Sequence, residues 1–235
     1  MTASHPLTLN LPSALPRPIR WGAHESALVV VDMQNGFLKP NGYFDQVGYD
    51  LNHAPGTIER VRQSIVAARA AGMFVVYIQS GFDADHLVVG GPTAPVWHKS
   101  EAQILMRERP ELHRKLITDG TWDYEIVDEL KPADGELVVR KSRYSAFAGT
   151  CLDQVLRARR IQNIVFTGVA ANACVESTLR EAYHREYFCL LLEDATHHAG
   201  PPYLLDATLW NVRTFFGWTA TVAQFAQATQ LREAA

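Results

Sequence analysis

The stretch Ala27-Leu28-Val29-Val30-Val31-Asp32 decides the architecture. Its apolar residues run without a break, and the run closes on a carboxylate. A half-exposed strand would alternate apolar and polar residues. A run that is apolar on both parities belongs in a parallel strand covered on both faces. Residues 57–71 follow with helical spacing at Ile58, Val61, Ile65, Val66 and Ala68, closed by Gly72. Residues 73–78 read as a second buried strand. The polar stretch 80–100, with Gly90, Gly91, Pro92 and Pro95, reads as a loop. At about 20 residues it exceeds a plain connection, which points to a functional or oligomer-facing role.

Farther along, the pattern gives a strand at 137–141, a helix at 151–160, a strand at 164–168 and a helix at 174–187. A strand at 188–192, a helix at 203–216, a short strand near Trp218 and a final amphipathic helix from Val222 complete it. Alternating strands and helices predict a three-layer α/β/α sandwich on a mainly parallel, six-stranded sheet. No composition break divides the chain after residue 25, so 25–235 reads as one domain. Residues 1–24, with Pro6, Pro12, Pro16 and Pro18, read as an extended N-terminal arm.

Composition narrows the function. At 235 residues, 47% apolar and 20% charged, the chain can bury a sizeable core and is not disordered. A formal net charge of −3 offers no basic field for nucleic acid. No apolar run reaches the ~18 residues of a membrane span, and residues 1–20 lack the basic and apolar regions of a secretory signal. The three cysteines, Cys151, Cys174 and Cys189, suit neither a disulfide framework nor a metal spacing. A reducing, cytoplasmic compartment is the simplest expectation.

In such sheets ligands bind outside the carboxyl ends of the strands. Asp32 ends the first strand and Lys141 the third. Gly168 ends the fourth, and Val169-Ala170-Ala171-Asn172-Ala173 leads into Cys174 at the start of a helix. A carboxylate, an ammonium and a thiol therefore reach one edge. A cation and a helix N-terminus both favour the thiolate, and a carboxylate can take its proton. Backbone N–H groups of the first turn can hold the negative charge of a tetrahedral intermediate. The chemistry indicated is acyl transfer from a cysteine nucleophile. Each residue also has a plainer reading: a buried small cysteine, a turn-capping aspartate, a solvated lysine.

Other groups carry less. His197-His198 and Asp50-Leu51-Asn52-His53 fall short of a metal-ligand set. Gly90-Gly91 lacks the strand-then-helix setting of a phosphate loop. Cys151 reads as a packing residue, Cys189 as a strand residue, and Arg107, Arg109, Arg114 and Lys115 as a solvated helix face.

The segments ALVVVDMQNGF (27–37), KSRYSAF (141–147) and GVAANACV (168–175) resemble those of the isochorismatase-like cysteine hydrolases. With GGPTAPVWHKS (90–100), Trp122-Asp123-Tyr124, CVESTLR (174–180) and LEDATHHAG (192–200), the chain is most similar to the branch that cleaves ureidoacrylate in pyrimidine degradation. The resemblance implies Cys174 as nucleophile, Asp32 as general base and Lys141 as the polarising cation. It implies a cis peptide at Val169-Ala170 and an oxyanion hole from the N–H groups of Ala170 and Cys174. Ala171 stands where the family commonly has threonine, which removes a side-chain hydrogen bond from the loop. The metal-binding Asp-x-His pair of the nicotinamidase branch is not reproduced at 50–53, so no metal and no cofactor are expected.

The expected substrate is a small ureido compound whose carboxylate meets a cation or amide. Arg143, Lys99 and Gln103 are candidates for that contact. Gln34, Tyr144, Phe37, Phe82 and Trp122 are candidates for the rest of the pocket. A biuret or triuret hydrolase, or a binding protein on a retired hydrolase fold, are the alternative readings. Subunit contacts through 219–235 and the arm, in a homo-oligomer, are also expected.

Overall fold

The computed structural model describes residues 7–230. Residues 1–6 of the arm, and residues 231–235 of the segment expected to make subunit contacts, lie outside them. The chain opens with an antiparallel pair, β1 (Thr8–Leu11) and β2 (Ile19–Gly22). A six-stranded sheet follows: β3 (Ser26–Val31), β4 (Phe74–Ser80), β5 (Leu137–Lys141), β6 (Asn163–Val169), β7 (Phe188–His197) and β8 (Trp218–Ala220). Its order is β5-β4-β3-β6-β7-β8, and every pairing is parallel. The expected mainly parallel, six-stranded sheet is borne out.

β3 shows why the opening stretch is apolar on both parities. Leu28 and Val30 enter one core, and Ala27, Val29 and Val31 enter the other. The first core is closed by α3 (Ala54–Ala70) and α9 (Val222–Gln230), through Ile58, Val61, Ile65 and Phe225. Leu9 and Leu11 of β1 join it. The second is closed by α6 (Leu152–Ala158) and α7 (Glu176–His184), through Leu152, Leu156, Leu179 and Ala182. Two apolar faces on one sheet require helices on both sides, hence three layers.

Smaller helices complete the chain. The one-turn helices α1 (Asn35–Leu38) and α2 (Tyr43–Gln46) follow β3. α4 (Pro95–Lys99) and α5 (Glu101–Glu108) lie after β4, and α8 (Tyr203–Asn211) precedes β8. The 80–100 segment is thus not purely loop, since it contains α4. Arg109, Arg114 and Lys115 lie beyond α5 and do not form one helix face with Arg107. Arg107 instead lies 4.2 Å over the Trp97 ring. Cys151 is exposed ahead of α6 rather than packed.

β7 runs five residues past the expected end at Leu192. Phe166 pairs with Leu191 and Gly168 with Thr196, so β7 has residues 192–195 where β6 has only Thr167. This bulge carries His197 alongside Val169. Gly168 is required by its surroundings. Its φ is +109°, and a Cβ there would stand 2.0 Å from the Val31 carbonyl oxygen. From β3 the chain moves outward through β4 and β5, then returns to β6 on the other side of β3. The crevice at the carboxyl ends of β3 and β6 is therefore the topological switch point.

Candidate active site

Three strand ends converge at that crevice. Asp32 leaves β3 with φ +52°, held by its N–H donating to Ile78 O at 3.0 Å. Lys141, the last residue of β5, pairs in register with Ser80 of β4. Cys174 lies in a single π-helical turn, Ala171–Val175, between β6 and α7. Such turns are rare and occur frequently at functional sites.

Lys141 Nζ donates to Cys174 Sγ at 3.1 Å, to Ser80 Oγ at 2.9 Å and to the Arg143 carbonyl at 3.1 Å. It also lies 2.9 Å from Asp32 Oδ2. An ammonium has three N–H bonds. With those directed at Ser80, Arg143 and Cys174, Asp32 is met as a charge contact, and neither carboxylate oxygen has a hydrogen bond of good geometry. All three side chains are buried: Asp32 is 1%, Lys141 4% and Cys174 7% exposed.

Burial sets the proton affinities. It pushes the Asp32 carboxyl above the ordinary carboxylate range, against the pull of the Lys141 charge and of the Cys174 thiol nearby. Burial, then the Asp32 charge, pushes the Cys174 thiol up to about 12, with Lys141 opposing. Burial works against the charge on Lys141. The charges of Asp32 and Cys174 outweigh it and hold its pKa above the ordinary lysine value. Asp32 is thus a stronger base than an exposed carboxylate, and it sits with the Lys141 charge beside a thiol that holds its proton tightly.

The turn carrying Cys174 is tied on both sides. The Ala170 carbonyl accepts from Ala173 N at 3.0 Å and Val175 N at 3.1 Å, passing over the Cys174 N–H between them. The Val169-Ala170 peptide is cis, at the position that the resemblance implied. The Asn172 amide donates to Ala199 O at 3.0 Å and accepts from Ala199 N at 2.9 Å, joining the turn to the segment after β7. Thr178 Oγ1 donates to Cys174 O at 2.6 Å and accepts from Ala146 N at 3.0 Å.

Cys174 opens into a cavity of about 730 Å³. Ala170, Asn172, Ala173 and Ala199 form its wall beside the thiol, and Phe37, Tyr43, Phe44, Tyr49 and Phe82 form an aromatic wall. Lys99, Glu101, Arg143 and Tyr144 supply the remaining polar edge. Of the residues expected to bind substrate, Phe37, Phe82, Lys99, Arg143 and Tyr144 line this cavity.

Gln34, Gln103 and Trp122 do not, and each has a structural reason. Gln34 is fully buried, with its amide donating to Ser80 O at 3.0 Å and Tyr124 O at 2.8 Å and accepting from Ser80 N at 2.7 Å. It holds the segment that presents Ser80 to Lys141. Gln103 is buried, its amide 3.3 Å from His86 Nδ1. Trp122 is half exposed, and its carbonyl accepts from the Asn35 amide at 2.9 Å.

Sequence reasoning missed other residues. Asp123 accepts from Tyr43 N at 3.0 Å and Ile117 N at 2.6 Å, so a buried carboxylate fixes two segments of the cavity wall. Burial raises its pKa to about 6. The only signal was an acidic residue between two aromatics. Ser80, Tyr43, Tyr49, Glu101 and Asn172 were missed for want of any pattern. His53 and His197, distant in sequence, stack with ring centroids 3.3 Å apart, and His198 lies against His197. Among the described residues no group of three or more His, Cys, Asp or Glu side chains is arranged to hold a metal ion.

Comparison with known proteins places this geometry among relatives. The isochorismatase domain matches residues 26–224. A ureidoacrylate amidohydrolase RutB of Agrobacterium fabrum is 54% identical over 90% of this chain and 93% of its own length. One from Methylorubrum extorquens is 52% identical over 94% of this chain and 89% of its own. Among solved structures, a cysteine hydrolase from Pseudomonas syringae pv. phaseolicola superposes with a TM-score of 0.74 at 26% identity, covering 92% of this chain and 97% of that one. The N-carbamoylsarcosine amidase of Thermoplasma acidophilum does so with a TM-score of 0.62 at 28% identity, covering 89% and 99%.

Proposed function

The chain belongs to the isochorismatase family of hydrolases, and on that premise we propose that it is a cysteine-dependent amidohydrolase converting ureidoacrylate to aminoacrylate and carbamate. The observation that carries the mechanism is Lys141 placed between Asp32 at 2.9 Å and the Cys174 sulfur at 3.1 Å, where the thiol meets the cavity. The relatives, at about half identity over nine-tenths of the chain, support the substrate. They do not favour a biuret or triuret hydrolase or a retired binding fold.

In the proposed reaction Asp32 accepts the Cys174 proton as the sulfur attacks the ureido carbonyl carbon. The thiol's high proton affinity means the thiolate exists only transiently, beside the Lys141 charge that stabilises it. Negative charge grows on the carbonyl oxygen, toward the N–H groups of Ala170 and Cys174. Collapse breaks the bond to the acrylate-bearing nitrogen, which leaves as aminoacrylate after taking the proton from Asp32. An S-carbamoyl enzyme remains. Water, giving a proton to Asp32, adds to the carbamoyl carbon. The second collapse releases carbamate and returns the proton to sulfur.

No helix among the described residues is long and apolar enough to cross a membrane. We further infer a cytoplasmic enzyme, from its few, unpaired cysteines. Its net charge of −3 argues against nucleic acid as a partner, and the exposed aromatics Tyr203, Trp210 and Phe215 support self-association.

The test is ammonia release from ureidoacrylate, biuret, triuret, N-carbamoylsarcosine and nicotinamide, with wild type beside Cys174→Ser. Ureidoacrylate turnover that falls by at least about a thousandfold in the variant is expected. A preference for biuret or triuret would overturn the substrate.

A further inference from the structure

The proposed substrate bears a carboxylate at the end opposite its ureido group, and an aromatic cavity does not hold a carboxylate without a cation. Three charged side chains line the cavity: Lys99, Glu101 and Arg143. Their commitments differ. The Arg143 guanidinium is folded back on the protein, donating to Ser142 O at 2.8 Å, Ser142 Oγ at 3.3 Å and Val88 O at 3.1 Å. Its main-chain carbonyl meanwhile accepts from Lys141 at 3.1 Å, so Arg143 is part of the cradle of the catalytic ammonium. Glu101 accepts from the Tyr49 hydroxyl at 2.7 Å and repels an anion. Gln103, the remaining candidate for this contact, is buried against His86 and does not line the cavity.

The Lys99 ammonium has no hydrogen-bond or ion-pair partner among the described residues. It ends α4, in the 80–100 segment, and lines the same cavity as Cys174, Tyr43 and Phe44.

We propose that Lys99 is the specificity-determining residue that binds the substrate carboxylate and so separates carboxylate-bearing ureido compounds from uncharged ones. This rests on the ureidoacrylate reading. It assigns the ends of the cavity: the carbamoyl group at Cys174, the carboxylate at the carboxyl end of α4, and the planar acrylate between them against the aromatic wall. An uncharged urea oligomer leaves the lysine without a counter-ion and gains nothing from it. The long segment 80–100 then has a function, since it carries the cation that selects the substrate.

The experiment compares wild type, Lys99→Met, Lys99→Arg and Arg143→Met on ureidoacrylate and on its uncharged carboxamide. The KM of Lys99→Met for ureidoacrylate is expected to rise roughly 10- to 100-fold, the range of one charge-assisted hydrogen bond. On the carboxamide its KM should rise far less and its kcat should persist, which shows that the variant is folded and its chemistry intact, so that the acid-over-amide preference collapses. Lys99→Arg should recover most of the lost discrimination between acid and amide. An unchanged preference for the acid in Lys99→Met would overturn the proposal. So would loss of that preference in Arg143→Met with Lys99→Met unaffected. Wild type inert on both compounds would instead overturn the ureidoacrylate reading, which separates the two failures.

Discussion

The Lys141 ammonium and the Cys174 sulfur lie 3.1 Å apart with both side chains buried. In a water-poor site this contact outweighs what the same pair would give at a surface, and it ties the proposed nucleophile, after β6, to the end of β5 three strands away. Lys141 is also the charge partner of Asp32 at 2.9 Å, so removing it strands a buried carboxylate, and breaking a buried ion pair commonly destabilises by about 3–5 kcal/mol. Lys141→Met should therefore lose stability in urea unfolding. The folded fraction should show kcat lowered by about two to three orders of magnitude, as for other removed charge stabilisers. Activity within a factor of ten of wild type would contradict the role.

Gly168 of β6 pairs in register with Val31 of β3. Because a Cβ would stand 2.0 Å from the Val31 carbonyl oxygen, at a φ of +109°, Gly168→Ala must push the two central strands apart. A loss above about 3 kcal/mol is expected, in the range of the severe single substitutions. Urea unfolding measures it, and a variant within 1 kcal/mol or so of wild type would refute the packing argument.

Gln34→Ala separates a structural from a substrate-binding role. The amide bonds Ser80 N, Ser80 O and Tyr124 O in a fully buried place; its removal takes these bonds away, at about 1–3 kcal/mol for a group left unsatisfied, while Tyr124 O keeps the Gln79 amide at 2.8 Å. The expected result is a marked drop in the urea midpoint with KM of the folded enzyme near wild type. A raised KM with unchanged stability would return Gln34 to the substrate pocket.

The stacked histidines predict sensitivity to acid. Burial, then the neighbouring histidines, depresses His53 from 6.5 to about 4 and His197 from 6.5 to about 3. Below pH 6.5 the unfolded chain binds protons that the folded one refuses, so stability falls as pH drops through that value and continues to fall toward pH 3. Above it the contribution is fully present. Unfolding midpoints between pH 7 and pH 4 should decline less steeply in His53→Gln. Parallel pH profiles for variant and wild type would contradict this.

What was legible follows the physics. β3 could be read because both of its faces are buried, which leaves no polar residue to blur the run until Asp32. β7 was cut short because its bulge carries Glu193 and Asp194, charges that read as the end of a strand but sit in an irregular stretch. Asp32, Lys141 and Cys174 could be nominated as strand ends before any geometry, since parallel sheets deliver their ligands there. Gln34 and Gln103 misled because a polar side chain near a site looks the same in sequence whether it meets a substrate or the protein itself, and Trp122, expected as an apolar wall, because sequence does not show that an aromatic ring is half exposed outside the cavity. Asp123 was overlooked for the opposite reason. Its partners Tyr43 and Ile117 are backbone groups at distant positions, and no sequence pattern records them.

The central claim is that Cys174 becomes covalently carbamoylated. Rapid quenching of the enzyme during turnover of ureidoacrylate, followed by mass spectrometry of the peptide containing Cys174, tests it directly. The account predicts a carbamoyl group on that sulfur, absent from Cys151 and Cys189, which decays as carbamate appears. Full turnover by Cys174→Ser, or turnover with no adduct at any quench time, would contradict it.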